Sequence, residues 1–549
     1  RDSATGAFRL LGPGVATFAD AAAGDSRIVF ESREHLLPQA TPNVVNLYEW
    51  DGSKPADEAL GLVGVLPDGK APLGGSVAGP GGPALGGSKG GATGKFYTQN
   101  TVSEDGSRVF FSDVGTGQIY MREPEVGRTI PVSTGVEPAY WRAATADGSE
   151  VFYTEGEDLY RYSVETETRE ALTTGAAGML GTLGVATENG SYAYFAATGV
   201  LASNENGNKE RAETGNANLY EWHAGDIAFI AQLNLYNEYD EYDWRDLYSR
   251  TAVVTPDSGE KSSRVSPDGL TVLFGSRARL TGYDNAGQGE LYLYEASSDR
   301  LVCVSCNPNG APAIDEAFLA YNEKLNTQSD TRPLLTRNLS DNGSRVFFQT
   351  KEGLLPQDKN EQADVYEWER EGAGGGEGCS RSSASFSTSS GGCLYLISTG
   401  ESDEQSYFGD ASADGNDVFF FTRQSLVGQD RDENEDLYDA QVDGGIAVQN
   451  PTATQGCSGE GCLGPAISSP VFGSPSSTTV AGPVDAPSQT AATPKKLTRA
   501  QKLTKALLAC RRRPKKQRGT CEARARKQYG KRAANKPTRA RRSARGRRS

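Results

Sequence analysis

Histidine and methionine are nearly absent from this chain: two of each occur in 549 residues, with five tryptophans. That poverty weighs against His-ligated copper, haem or zinc and against any nucleophile activated by an imidazole. His35 precedes Leu36-Leu37-Pro38 and His223 follows Glu221-Trp222, and neither neighbours a nucleophile. A serine hydrolase needs a Gly-x-Ser-x-Gly turn between a strand and a helix, and none reads in that context. Propeller-type lyases and quinone-dependent dehydrogenases would need more histidine or a cofactor-stacking motif. No apolar run approaches the ~20 residues that span a bilayer as a helix. No signal peptide is visible, and the chain opens at Arg1 rather than Met, so its natural N-terminus is expected to lie upstream.

A repeat is present instead. A small residue and Asp-Gly, or a close variant, precede a short strand rich in Phe and Tyr; a loop and a Leu-Tyr segment follow. The copies centre on Asp25, Asp105, Asp147, Asn189, Asp268, Asn342 and Asp414. Asp105, Asp147 and Asn189 stand 42 residues apart, against ~40–50 for a minimal propeller repeat. Asp-Gly and Asn-Gly accept positive φ, so each phrase reads as a hairpin turn. The Leu-Tyr segment supplies a third strand. Segments such as Thr129–Ser133, Glu170–Thr173, Leu301–Ser305 and Leu394–Ser398 supply a fourth. Four antiparallel strands make a blade, and a lone blade cannot bury both faces. The expected fold is therefore all-β, a β-propeller of about seven four-stranded blades over residues 1–445. The excess length falls in loops 71–95, 232–262 and 307–335. Closure is expected between Phe8–Leu11 and residues 445–449, because it removes the open edges. A β-sandwich with incidental Asp-Gly turns is the competing fold.

The phrase Ser266-Pro267-Asp268-Gly269, then Thr271-Val272-Leu273-Phe274, then Glu290-Leu291-Tyr292-Leu293-Tyr294 resembles the TolB-type, WD-like propeller repeat. The resemblance covers roughly residues 15–445 and implies a binding platform without naming a ligand.

The eight cysteines fall into four local pairs: Cys303 with Cys306, Cys379 with Cys393, Cys457 with Cys462, and Cys510 with Cys521. An even count in local pairs reads as disulfides and an oxidising compartment. The alternative for Cys303-Val304-Ser305-Cys306 is a redox or zinc motif, but it ends a predicted strand rather than opening a helix, and no histidine is near.

Residues 446–494 are rich in Gly, Ser, Thr, Ala and Pro and read as a linker. The charge then inverts. Residues 495–549 hold 23 Lys and Arg against the single acid Glu522, a net +22; subtraction from the totals of 56 and 71 leaves 33 basic and 70 acidic residues in 1–494, a net −37. Leu503, Ala506, Leu507 and Cys510 lie on one helical face, so a helical hairpin stapled by a Cys510–Cys521 bond is expected over 498–530.

Calcium is expected where loops space oxygen ligands by two. Asp430, Asp432, Asn434 and Asp436 form the best such run, Asp358, Asn360 and Asp364 a weaker one, and Asp284-Asn285 with Glu290 the weakest; a solvated acidic turn is the bland alternative. The EF-hand signature is absent. Tyr48-Glu49-Trp50, Tyr220-Glu221-Trp222 and Tyr366-Glu367-Trp368 repeat at one blade position, which favours packing over sugar stacking.

These features lead us to expect a non-catalytic, monomeric scaffold, exported to the bacterial cell envelope. A protein or glycan would bind one propeller face, and the basic tail would hold an envelope polyanion, without specific nucleic-acid recognition. The alternative is a propeller enzyme, or the regulatory part of one, acting on glycans or peptides. The central channel discriminates: converging carboxylates with one Arg or His would favour catalysis.

Overall fold

Each Asp-Gly phrase folds as the corner between the first two strands of a sheet, and a network of local hydrogen bonds explains the recurring residues. At Thr145–Glu150 the Thr145 hydroxyl donates to Asp147 Oδ1 at 2.8 Å, while the Ser149 and Glu150 N–H groups each donate to Thr145 Oγ1 at 3.0 Å. Ser103 with Asp105, Ser266 with Asp268 and Ser412 with Asp414 repeat the hydroxyl-to-acid bond, and Ser340 donates in the same way to the amide oxygen of Asn342. Gly148 takes φ 65°, a left-handed conformation that costs a side chain energy. Gly343 is constrained twice over, because a Cβ there would also stand 2.4 Å from Thr271 Oγ1. The expectation of positive φ at both turn residues is met only in the inverted first copy, Gly24-Asp25; elsewhere the glycine alone adopts it. The preceding Asp or Asn acts through its side-chain oxygen as a turn cap.

The computed structural model describes residues 16–442 except 80–99, 136, 176, 236, 245–260, 320–334 and 374–377, together with 444 and 526–527. Seven antiparallel sheets follow one another along the described chain. The first holds Thr17–Ala21, Arg27–Ser32, Asn46–Asp51 and Leu60–Leu62. The third holds Ala139–Ala144, Glu150–Glu155, Asp158–Ser163 and Thr168–Ala171. Five sheets have four strands in simple sequential order, the sixth has five and the seventh three. The sixth gains Phe386–Ser387, which pairs beside Gly392–Leu396. The seventh comprises Ser406–Ala411, Asp417–Thr422 and Asp436–Gln441. Sequential four-stranded antiparallel sheets of this kind are the blades of a β-propeller.

Paired aromatics in the second strands show why the blades stack. Successive side chains on a strand point to opposite faces. Phe111 accordingly packs back toward Val29 and Leu47 of the first blade, while Phe110 packs forward on Trp141 of the third. Tyr153 and Phe152 divide in the same way, as do Phe195 and Tyr194, Phe274 and Leu273, and Phe348 and Phe347. A strand buried on both faces reads as a continuous apolar run, which is the Val-Phe-Phe signature. The corners are also linked. Ala23 N–H donates to Glu104 O, Glu104 N–H to Ala146 O, Ala146 N–H to Thr187 O, Glu188 N–H to Pro267 O and Asp341 N–H to Ala413 O, at 2.7–2.8 Å.

The recurrence of Tyr in the third strand has its own cause. The Tyr366 hydroxyl accepts from Leu354 N–H at 3.2 Å, and Tyr48, Tyr220 and Tyr438 accept in the same way from Leu36, Leu201 and Leu426. Each tyrosine thereby ties down the loop ahead of its strand. Trp222 and Trp368 are buried in blade cores and Trp50 is half-buried, in line with packing.

Two expectations meet a different outcome. The insertion at 232–262 contains a short helix, Glu238–Trp244, in place of a plain loop. Its Tyr239 ring packs where Gly275 and Gly289 lack side chains; a Cβ would approach it to 2.8 and 2.3 Å. The seventh blade has three described strands rather than four. The closure segments Phe8–Leu11 and 445–449 lie outside the described residues. The chain divides into two units, Arg1–Gly456 and Cys457–Ser549, and all seven sheets belong to the first. The linker and tail lie outside the described residues apart from Arg526 and Lys527. The expected bonds of Cys457 with Cys462 and of Cys510 with Cys521 fall there too, as does the helical hairpin over 498–530 apart from those two residues.

Candidate functional site

The innermost strands converge on a cavity of about 420 Å³. Its wall draws on six successive blades: Asn100, Arg142, Val185, Arg264, Leu339 and Asp410 each come from a different one. Bulges on the inner strands help to shape it. The ladder between Ala139–Ala144 and Glu150–Glu155 skips Arg142, and the one between Met179–Val185 and Tyr192–Ala197 is interrupted twice. A bulge re-aims the residue it frees, and Arg142 lines the cavity.

Among the described residues, four cations line this space, Arg142, Lys261, Arg264 and Arg337, with two acids, Asp341 and Asp410. Both acids are engaged by Arg337: its Nε lies 3.2 Å from Asp341 Oδ1, and its backbone N–H donates to Asp410 Oδ1 at 2.8 Å. Hydrogen bonds to neutral oxygens orient the other cations. Arg142 donates to Thr154 Oγ1 from Nη2 at 2.6 Å and from Nε at 3.1 Å. Lys261 Nζ donates to Thr182 O at 2.8 Å. Arg264 donates to the carbonyls of Lys261, Ser263 and Thr336, each at 2.7 Å. The helical insertion places this segment: Ser262 Oγ donates to Asp243 Oδ1 and Ser263 Oγ to Asp243 O, at 2.7 and 2.8 Å.

Electrostatics follow from depth. Arg142 and Lys261 keep some accessible surface toward the cavity, yet both sit deep in the body, and depth sets the desolvation. Burial lowers the Arg142 pKa to about 10. Burial, reinforced by the like charges of Arg264 and Arg142 and opposed by Asp243, lowers Lys261 to about 7. Leu183, Val185, Val265 and Leu339 add apolar groups to the wall, and Asn100, Thr187, Ser263 and Thr336 add polar ones.

No local motif marks this cluster. The histidines are elsewhere: His35 Nε2 contacts Ala40 O at 2.9 Å, and His223 stacks on Tyr192 with ring centroids 4.0 Å apart. One literal Gly-x-Ser-x-Gly string, Gly86-Gly87-Ser88-Lys89-Gly90, falls outside the described residues.

The acidic loops diverge. Asp430, Asp432 and Asp436 bring carboxylate oxygens within 4.8 Å of one another, an all-oxygen set that suits a hard cation. Asp430 also accepts from the Tyr438 hydroxyl, and Asn434 N–H donates to Asp432 Oδ1 at 2.9 Å. In the sixth blade the same positions are turned inward. Asp358 accepts from Tyr366, Asp364 accepts from Ser398, and Asn360 Oδ1 accepts from Gln362 N–H at 2.9 Å. Those carboxylates hold the blade together. In the fifth blade Asp284 pairs with Arg279, whereas Glu290 is buried beside Cys303 and Cys306. The Cys303–Cys306 and Cys379–Cys393 pairs are disulfides, so the sulfurs near Glu290 are not thiolate ligands. Of the eight cysteines, the remaining four, Cys457, Cys462, Cys510 and Cys521, lie outside the described residues, and the disulfide expectation for them has no structural counterpart.

No family model and no curated protein matches the chain. Solved propellers resemble it at low identity. TolB from Acinetobacter baumannii is 12% identical with a TM-score of 0.25, over 77% of this chain and 82% of that one. The β-propeller domain of the Trilobed protease from Pyrococcus furiosus is 10% identical with a TM-score of 0.31, over 77% and 92%. Porphyromonas gingivalis dipeptidyl peptidase 4 is 9% identical with a TM-score of 0.39, over 80% of this chain and 53% of that protein. Similarity of this degree says nothing about activity, and the propeller assignment rests on the sheets themselves. Among the described residues no helix is long and apolar enough to cross a membrane, which leaves β-barrels unaddressed.

Proposed function

We propose that the chain is a non-catalytic binding scaffold of the bacterial cell envelope, with its ligand seated in the central channel. The observation that supports this reading is the cavity, walled by six blades, whose two carboxylates, Asp341 and Asp410, are both bonded by Arg337. Such a wall is suited to holding a ligand, since concave sites with a few placed polar groups are the usual form of small-molecule pockets. Two disulfides agree with an oxidising location outside the cytoplasm. The +22 segment after Pro494 is the proposed anchor to envelope phosphates or acidic glycans. Calcium is the proposed ion for Asp430, Asp432 and Asp436, with Asn434 completing the run.

The test is a thermal-shift screen of the full chain against a small-molecule library, repeated with Thr187→Trp, which fills the cavity from its wall. Ligands that stabilise the parent but not the variant place binding in the channel. Turnover of peptide or glycan substrates by the parent would replace this reading with the enzymatic one.

A further inference from the structure

Several blades place an acid or amide one residue ahead of a buried apolar residue in the third strand and bond it to a hydroxyl that follows the fourth. Thr173 donates to Asp158 at 3.0 Å, Ser133 to Gln118 at 2.9 Å, and Ser398 to Asp364. The fifth blade departs from this arrangement twice. Its acid is Glu290, one methylene longer than aspartate, and the hydroxyl belongs to Ser305, inside Cys303-Val304-Ser305-Cys306. A carboxylate oxygen of Glu290 and both cysteine sulfurs consequently lie within 4.8 Å of one another. The Cys379–Cys393 disulfide is as deeply buried, at 2% and 0% exposure against 1% and 3%, yet among the described residues no acid is grouped with it in this way.

Reducing a disulfide releases a thiolate, which is costly away from water unless a proton reaches it. Glu290 can supply that proton, since transfer needs hydrogen-bond reach or one bridging water. Burial, with the like charge of Glu352 and against the Ser305 bond, raises its pKa to about 8, so it holds a proton at neutral pH. The other titratable groups around it, Tyr239, Tyr283 and Tyr292, are all raised by burial and are neutral there too.

We propose that Cys303–Cys306 is a reversible redox pair, opened by small dithiols, with Glu290 as its internal proton donor. A dithiol thiolate attacks Cys306 Sγ, on the side that leads into the exposed stretch 309–312. The S–S bond breaks, and Cys303 Sγ leaves with the electron pair and takes the Glu290 proton. The second thiol of the dithiol then displaces Cys306 Sγ, which takes that thiol's proton. The protein pair is reduced, the dithiol becomes a disulfide, and the Glu290 carboxylate is reprotonated from water. Oxidation runs the same path backwards.

The experiment treats the folded full chain with dithiothreitol and follows each disulfide by alkylation and peptide mass spectrometry. Cys303–Cys306 should open about tenfold or more faster than Cys379–Cys393, and Glu290→Gln should remove most of that advantage without changing Cys379–Cys393. After correction for the dithiothreitol thiolate fraction, the parent rate should fall as pH rises through about 8, where Glu290 loses its proton, and the variant should show no such fall. Glu290→Asp restores the residue of the third and sixth blades, Asp158 and Asp364, so it keeps the test available where Glu290→Gln fails to fold, and it too should open slowly. Loosened packing would speed reduction, so slower opening reports the lost proton. Equal opening of the two disulfides in the parent, or an unchanged or faster rate in both variants, would overturn the proposal.

Discussion

Tyr366 and Tyr438 occupy the same position in successive blades and make the same two contacts, but in different surroundings. Each hydroxyl accepts a leucine N–H at 3.2 Å, from Leu354 and Leu426, and donates to an aspartate, Asp358 and Asp430. Tyr366 and Leu354 are buried, whereas Tyr438, Leu426 and Asp430 are only partly buried. Replacing Tyr366 by Phe leaves a buried N–H without its acceptor, which costs ~1–3 kcal/mol, and deprives Asp358 of a charge-assisted donor, which adds ~1 kcal/mol or more. Tyr366→Phe should therefore destabilise by about 2–4 kcal/mol in urea unfolding at constant slope. Tyr438→Phe should cost a small fraction of that, because water replaces the hydroxyl at Asp430. Asp358, whose pKa is raised chiefly by burial and lowered by Tyr366, should titrate higher still in the Tyr366 variant. Equal costs for the two substitutions would refute the argument that burial, rather than the bonds themselves, sets the worth of this tyrosine.

The pH dependence of stability should carry the signature of Glu290, whose pKa burial raises to about 8. Between the two pKa values the native state holds a proton that the unfolded state has lost, so this contribution is intact below about 4.5 and is lost as pH rises toward 8. Glu290→Gln should flatten that part of the Tm profile, and an unchanged slope would count against it. Calcium at millimolar concentration should raise the Tm by mass action relative to chelator, and Asp432→Asn should abolish the effect; an unchanged parent Tm would make the loop a solvated acidic turn. A chain ending at Pro494 should lose salt-sensitive binding to cell-wall material that the full chain shows, since exposed charges are screened over ~8 Å at physiological salt; equal binding by both would mean that the tail is not the anchor.

Local rules carried most of the fold. Asp-Gly corners, alternating burial and the fixed step from corner to Leu-Tyr are short-range, so Asp147-Gly148 and Val151-Phe152-Tyr153 could be read as a blade without knowing its neighbours. The same reading located Trp368 in packing and Cys379 opposite Cys393. It missed the helix Glu238–Trp244, whose place depends on distant glycines at 275 and 289, and the inward turn of Asp358 and Asp364, whose loop pattern matches that of Asp430–Asp436. Identical local spacing leads to a structural lock where the loop is buried and to an exposed oxygen cluster where it is not. The channel was beyond reach of the sequence for a further reason. Arg142 and Arg337 are 195 positions apart, one sits on a bulge, and neither belongs to the repeat. Periodicity determines what faces a neighbouring strand, but only the convergence of the inner strands on one axis decides which side chains share the space at the centre.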